Sequence, residues 1–169
     1  MIAEMKHLLS FFLPMRFKDS MQSFDEGMDA YQDGNYSTAL NIWSPLAHHG
    51  CDAAQSALGH MSSLGVGLPQ DHTVALQWHT LAAEKGNYYA QLSLGIMYQA
   101  GQGVPRSDEV AVKWYTLAAE QGDERGQINL GLLYYEGLGI YPNEDIAREW
   151  FRLAAEQGSH EGQFYLDMT

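Results

Sequence analysis

The sequence predicts an all-α protein in which antiparallel helix pairs stack into a solenoid with a 36-residue repeat. Three sets of residues return at this interval: Ala54, Ala90, Gly126 and Gly162; Leu58, Leu94, Leu130 and Leu166; and Trp78, Trp114 and Trp150. A Gly-x-Gly turn also occurs three times, beginning at Gly65, Gly101 and Gly137. Between these turns the apolar residues follow the spacing of one helix face. Each unit is therefore expected to contain two helices.

Composition restricts the classes of protein that remain. The chain has 169 residues, of which 46% are hydrophobic, so it can bury a core. Nine Lys and Arg against 21 Asp and Glu give a formal net charge of −12, which disfavours nucleic acid as a partner. The single cysteine, Cys51, excludes an internal disulfide. No apolar run is long enough to predict a transmembrane segment.

Residues 1–23 form an N-terminal segment that differs from the rest. Residues 1–18 carry a net charge of +2, which leaves −14 on residues 19–169, and they include a short apolar patch between Leu8 and Leu13. Because solenoids cap their ends, we expect a capping helix here. Two alternatives remain, a membrane-surface segment and a secretory signal. The expected location is cytoplasmic, or periplasmic or secreted if residues 1–20 act as a signal.

Residues 24–50 are expected to form a divergent first unit. Ala39, Ile42 and Gly50 fall one period before Ala75, Trp78 and Gly86. The turn at residues 34–36 is shorter than the later Gly-x-Gly turns.

Three full units follow at residues 51–86, 87–122 and 123–158, and residues 159–169 are expected to form a C-terminal capping helix. Good N-cap residues open the first helix of successive units, namely Asn87, Asp123 and Ser159, and others open the second helix, namely Asp71, Ser107 and Asn143. The glycines that close the first helix are Gly65, Gly101 and Gly137, and those that close the second are Gly86, Gly122 and Gly158. Cys51 occupies an N-cap position.

A glycine recurs in the middle of the first helix, at Gly59, Gly95 and Gly131. Glycine destabilises a helix interior by about 0.5–1 kcal/mol relative to alanine, so its repetition indicates a steric requirement. We expect the second helix to approach closely at this point, with the recurrent tryptophan packed over the gap.

Residues 51–169 resemble Sel-one-like repeats, a solenoid family related to tetratricopeptide repeats. The similarity is clearest in Leu94-Gly95, Tyr98, Gly101-Gln102-Gly103-Val104, Ala111, Trp114-Tyr115 and the segment 118–122. Residues 24–50 are closer to an ordinary tetratricopeptide unit, through Tyr31 and the segments 34–36 and 39–40. The resemblance implies a right-handed α/α superhelix that serves as a scaffold for protein–protein contacts. One unit departs from the pattern, since Ser62 and His79 replace aromatic residues. That unit is expected to pack less well or to be adapted to a ligand.

The resemblance also implies that the first helix of each unit lines a concave surface. Helical spacing then selects the residues that face away from the second helix. The predicted partner-binding residues are His60, Ser63, Tyr89, Leu92, Ile96, Gln99, Arg125, Ile128, Leu132, Tyr135 and Phe164. Such a surface suits an extended segment or an amphipathic helix of a partner. The alternative is that its apolar residues only pack one unit against the next.

The predicted function is that of a non-catalytic interaction scaffold or adaptor. The alternative is a secreted or envelope-associated factor anchored by its N-terminal segment. No nucleophile–base set and no metal-ligand spacing occurs, so we expect neither an enzyme nor a metal or cofactor site. The acidic body favours a basic protein or peptide partner, although surface acids also serve solubility alone. The sequence leaves the oligomeric state open.

Overall fold

The computed structural model describes the backbone of residues 17–169 and the side chains of residues 23–169. Over this range it contains nine α-helices and no strand. The helices are α1 (Phe17–Gln32), α2 (Tyr36–His48), α3 (Asp52–Leu64), α4 (His72–Ala83), α5 (Tyr88–Ala100), α6 (Asp108–Glu120), α7 (Glu124–Glu136), α8 (Glu144–Glu156) and α9 (His160–Met168). Residues 1–16, on which the cap, membrane-surface and signal hypotheses depend, lie outside the described residues.

Each helix packs mainly on the helices before and after it along the chain, which produces a solenoid. We call α1, α3, α5, α7 and α9 the A helices, and α2, α4, α6 and α8 the B helices. The predicted all-α solenoid is confirmed. Helix α1 runs through the expected boundary between residues 23 and 24, so the end of the terminal segment and the start of the first unit share one helix. None of the described helices has the length and apolar character needed to cross a bilayer.

Capping side chains define the helix boundaries as the sequence predicts. At the A helices, the side chains of Asn87, Asp123 and Ser159 each accept a hydrogen bond from a backbone N–H in the first turn. Asp71, Ser107 and Asn143 do the same at the B helices. Gly65, Gly101 and Gly137 end the A helices with φ of 70°, 68° and 71°, in the left-handed region that favours glycine. Cys51 is an N-cap without a side-chain hydrogen bond.

The mid-helix glycines do permit close approach of the B helix, but the side chain that packs against them is not the recurrent tryptophan. It is that of the residue immediately after the tryptophan, so that Gly59 contacts His79, Gly95 contacts Tyr115 and Gly131 contacts Phe151. A Cβ built on Gly131 would lie 2.5 Å from Cε1 of Phe151. The first unit has the same contact between Gly27 and Trp43.

The recurrent tryptophans instead pack toward neighbouring parts of the array. Trp78 is partly buried against a cluster that includes Trp43 and Leu46 of the preceding unit. The ring of His48 meets it edge-on, with 5.4 Å between the ring centroids. The prediction of tryptophan over the gap was therefore wrong by one position, which is a rotation of about 100° around helix α4.

A ladder of glutamine side chains joins successive units. Three A-helix glutamines are almost fully buried, and the Nε2 of each donates to a carbonyl near the end of the preceding B helix; they are Gln55, Gln91 and Gln127. Their Oε1 atoms accept from a residue just after the B helix of the same unit. Gln121 donates to Gln91 at 2.7 Å, Gln157 donates to Gln127 at 2.8 Å, and Lys85 donates to Gln55 at 3.2 Å. Each buried amide thereby bonds to a backbone carbonyl of the preceding unit and to the end of its own B helix, which holds consecutive units in register.

Candidate protein-binding surface

The A helices place the predicted binding residues on one side of the solenoid, but two of them are inaccessible. Leu92 is only 1% exposed and Ile128 only 2% exposed. Leu92 packs in a core cluster with Tyr115 and Leu130. The prediction that these two residues face a partner was wrong because an A helix is buried against its own B helix and against neighbouring units. The alternative interpretation, that these apolar residues only pack one unit against the next, holds for Leu92 and Ile128.

The other nine predicted residues keep some exposure. Ile96, Tyr135 and Phe164 are well exposed, at 42%, 43% and 59%, and Arg125 is also exposed. The half-buried residues are His60, Ser63, Tyr89, Gln99 and Leu132. We call the side of the solenoid that carries these nine residues the A-helix surface.

A row of side chains crosses four successive A helices on this surface. The hydroxyl of Tyr89 on α5 lies 3.1 Å from Nδ1 of His60 on α3, within hydrogen-bond distance. The guanidinium carbon of Arg125 on α7 lies 5.5 Å from the centre of the Tyr89 ring, in cation–π geometry. On the other side, the rings of His60 and Tyr31 are 6.5 Å apart. Of the predicted residues, the structure therefore brings together His60, Tyr89 and Arg125.

Other predicted residues have contacts of their own. The Oε1 of Gln99 accepts a 2.9 Å hydrogen bond from the hydroxyl of Tyr115, which is otherwise buried. Burial raises the pKa of Tyr115, with a smaller contribution from Asp108. Phe164 meets Tyr165 edge-on near the end of the array, with ring centroids 5.4 Å apart. Gln99 thus hydrogen-bonds to a core residue, while most of the Phe164 side chain remains exposed.

A pocket of about 430 Å³ lies at one end of the row, between α1, α2, α3 and α5. Its walls are mostly aromatic and aliphatic. They are formed by Phe24, Met28, Tyr31, Trp43, Ala53, Ser56, Ala57, His60, Asn87, Tyr88 and Tyr89. We call it the α1–α3–α5 pocket.

Hydrogen bonds and ring contacts fix the walls of this pocket. Trp43 stacks on Phe24 with 5.6 Å between centroids, and its Nε1 donates to the Phe24 carbonyl at 3.1 Å. The Tyr31 ring lies 5.7 Å from that of Trp43. Burial, and then the neighbouring Arg125, lower the pKa of His60. The neutral imidazole therefore predominates in neutral solution, where it can hydrogen-bond to Tyr89.

The pocket was not among the predicted sites, although the chain contains a signal for it. Positions 53 and 57 carry alanine on α3, whereas the equivalent positions carry Tyr89 and Ser93 on α5, and Arg125 and Asn129 on α7. Two small side chains at the centre of a wall leave space that larger ones would fill. Differences between equivalent positions of successive units are thus the sequence signal that points to this pocket.

The unit with the two departures from the repeat pattern contains an unusual histidine. His79 is 1% exposed, its Nδ1 has no hydrogen-bond partner, and it occupies the position of Tyr115 and Phe151. Burial, with a smaller effect of His60, lowers the pKa of His79 to about 4. The Ser62 hydroxyl donates to the carbonyl of Leu58 at 2.8 Å. Within residues 23–169, no three His, Cys, Asp or Glu side chains are close enough to hold a metal ion together.

Comparison with known proteins identifies the repeat. The family model described as Sel1 repeat matches residues 52–87, 89–123 and 125–159. These three segments begin and end within two residues of the units defined by the 36-residue period. The human protein sel-1 homolog 2 is 34% identical over 73 residues, which are 40% of this chain and 11% of that protein.

Solved structures with a similar fold include two Sel1-type repeat proteins. A Sel1 repeat protein from Oxalobacter formigenes superposes with a TM-score of 0.82 and 32% identity, covering 86% of this chain and 58% of that one. A protective antigen of uropathogenic Escherichia coli strains, which displays an SLR fold, gives a TM-score of 0.80 and 33% identity, covering 87% and 32%. The chain thus spans little more than half, or less, of these relatives. With three matched repeats over more than half of its length, the chain belongs to the Sel1 repeat family.

Proposed function

We propose that this protein is a non-catalytic scaffold that binds a segment of a partner protein along the A-helix surface. Proteins built from Sel1 repeats are generally protein-interaction scaffolds. The observation that supports the location is the row formed by Tyr31, His60, Tyr89 and Arg125, which links four consecutive A helices. An extended segment or an amphipathic helix could contact all four units through it.

The chemistry of this surface favours a partner with apolar and basic residues. Exposed Ile96, Tyr135 and Phe164 provide apolar contacts. Residues 19–169 carry a net charge of −14, which would steer a basic segment toward the protein and would weaken with added salt.

Site-specific photo-crosslinking tests this proposal with a matched control. A photoreactive phenylalanine derivative is placed at Tyr135 on the A-helix surface or at Leu117 on a B helix, since both side chains are 43% exposed. In lysate of the source cells, we expect a discrete crosslinked protein from position 135 and none from position 117. Crosslinks from position 117 alone, or equal crosslinks from both positions, would contradict binding on the A-helix surface.

A further inference from the structure

The α1–α3–α5 pocket lies where one unit of the repeat carries unusually small side chains. Ala53 and Ala57 line it, whereas at the equivalent positions α5 has Tyr89 and Ser93 and α9 has Glu161 and Tyr165. The space therefore arises from a departure of this unit from the others. At about 430 Å³ it is large enough for one aromatic side chain and part of the backbone that carries it.

The walls of the pocket favour a flat aromatic ring. Phe24, Tyr31 and Trp43 are held by contacts with one another, so their faces are already in place before a ligand arrives. Aromatic rings pack on such walls in stacked or edge-to-face geometry. A preformed site also avoids the loss of side-chain freedom on binding.

One wall residue has an unsatisfied hydrogen-bonding group. Ser56 is 5% exposed and lines the pocket, and its Oγ has no hydrogen-bond partner. By contrast, Nε1 of Trp43 is already bonded to the Phe24 carbonyl. The Oγ is itself shielded from solvent, so a ring with a polar tip, such as a phenol or an indole, would supply its missing partner once Ser56 turns about its Cα–Cβ bond toward the pocket, whereas a plain phenyl ring would not.

Exposed carboxylates lie beside the lining residues of α1. Asp25 and Asp29 are exposed and directly follow the lining residues Phe24 and Met28. Basic residues next to the aromatic ring in a bound segment would lie close to these carboxylates.

We infer that the α1–α3–α5 pocket binds a tyrosine or tryptophan side chain of a partner segment in which Lys or Arg flanks that residue. This inference rests on the proposed function and specifies the anchor residue of the bound segment. Ser56 bonds the polar tip of the ring, and the carboxylates of α1 contact the flanking cations.

Short peptides titrated into the full chain test the inference. The probes are acetyl-Gly-Lys-X-Lys-Gly-amide, with Tyr, Phe or Ala at X, and the Tyr peptide with Glu in place of both Lys. The readout is the nitrogen–proton NMR signal of the indole groups. We expect the Tyr peptide to shift the signal of Trp43, a pocket residue, and to leave Trp114 and Trp150 unchanged. We expect the Glu-flanked peptide to bind about fivefold more weakly. Equal binding of the Ala peptide, or equal shifts of all tryptophan signals, would overturn the inference.

Two variants and a control locate the binding. Ala57→Phe fills the pocket and should weaken the Tyr peptide about tenfold or more. Ala100→Phe adds the same side chain at an exposed position outside the pocket and should have no effect. Ser56→Ala leaves the shape nearly unchanged, and should weaken the Tyr peptide about fivefold while leaving the Phe peptide within about twofold. If Ser56→Ala affected both peptides equally, the hydrogen bond to the ring tip would be refuted.

The failure of this inference can be distinguished from the failure of the proposed function. Crosslinking from position 135 without peptide binding in the pocket would leave the scaffold in place and remove the aromatic anchor. Binding of free N-acetyl-tyrosinamide as tightly as the Lys-flanked peptide, with no crosslinked protein, would indicate a small-molecule site and overturn both.

Discussion

Replacing His79 with phenylalanine should make the protein much less sensitive to acid. The imidazole is buried against Gly59 with an unpartnered Nδ1, and Phe151 fills the equivalent position against Gly131. Phenylalanine therefore has a structural precedent at this site in the same chain. The substitution removes a buried group that must take up a proton when the protein unfolds in acid.

The size of the effect follows from the pKa of His79, which falls from 6.5 in the unfolded chain to about 4 in the folded protein. Because the folded pKa is lower, the unfolded chain binds more protons between these values, and stability decreases as the pH falls through this window. The full shift corresponds to about 3 kcal/mol. Between about pH 7.5 and about pH 5, the wild type should lose about 2 kcal/mol that His79→Phe retains.

Urea unfolding, followed by circular dichroism at several pH values, measures this difference. Carboxylates titrate in the same range, so the quantity of interest is the free energy of unfolding of the variant minus that of the wild type. His160→Phe, at an exposed position on α9, serves as the control. If the difference between His79→Phe and the wild type were independent of pH, buried neutral His79 would not be the source of acid sensitivity.

Three further substitutions test the packing. Leu94→Ala removes a fully buried side chain and should lower the free energy of unfolding by about 2–5 kcal/mol; a loss below about 0.5 kcal/mol would contradict its placement in the core. Gly131→Ala should destabilise by about 1–3 kcal/mol, because its Cβ would overlap the Phe151 ring; unchanged thermal unfolding would show that the helices can separate freely. Gln127→Leu should cost about 1–3 kcal/mol, since it removes the side-chain hydrogen bonds that Gln127 makes with the Ala119 carbonyl and with Gln157; a double-mutant cycle with Gln157→Leu should then show coupling.

The fold was predictable because local signals and the repeat agreed. Capping residues and left-handed glycines fixed the ends of the helices independently of one another, and the period placed three copies of each signal in register. The structure confirmed Asn87 and Gly101, among others, in the expected roles. In such a fold each unit contacts mainly its neighbours, so local pattern determines most of the architecture.

The errors arose where two adjacent positions compete for the same space. Trp114 and Tyr115 are both aromatic, and two adjacent aromatic residues recur in the next unit. The sequence therefore does not show which of the two faces Gly95. Leu92 was wrongly assigned to the exposed side. A helix that packs on two neighbouring helices buries a wider arc of its surface than a helix that packs on one, and Leu92 falls within this wider arc. The glutamine ladder was missed for a different reason. Its three buried glutamines do recur at 36 residues, but apolar periodicity does not predict that a polar side chain is buried.

The binding surface was only partly predictable. His60, Tyr89 and Arg125 were selected individually from helical spacing, and the structure places them in one row. The pocket at the end of this row depends on residues that depart from the repeat, such as Ala57. Because these residues do not recur, the 36-residue period does not predict them.

The glutamine ladder determines how this protein can change in length. An internal unit such as residues 87–122 presents the Ala119 carbonyl to Gln127 of the unit that follows, and the Gln91 amide donor to the Ala83 carbonyl of the unit that precedes it, so its two contact faces are complementary. A duplicated copy inserted after Gly122 would find a matching partner on each side. Insertion of a single residue into an A helix after its glutamine would instead turn the remainder of that helix by about 100° relative to the buried amide. Growth by whole units preserves the hydrogen bonds, and each added unit extends the A-helix surface by one helix.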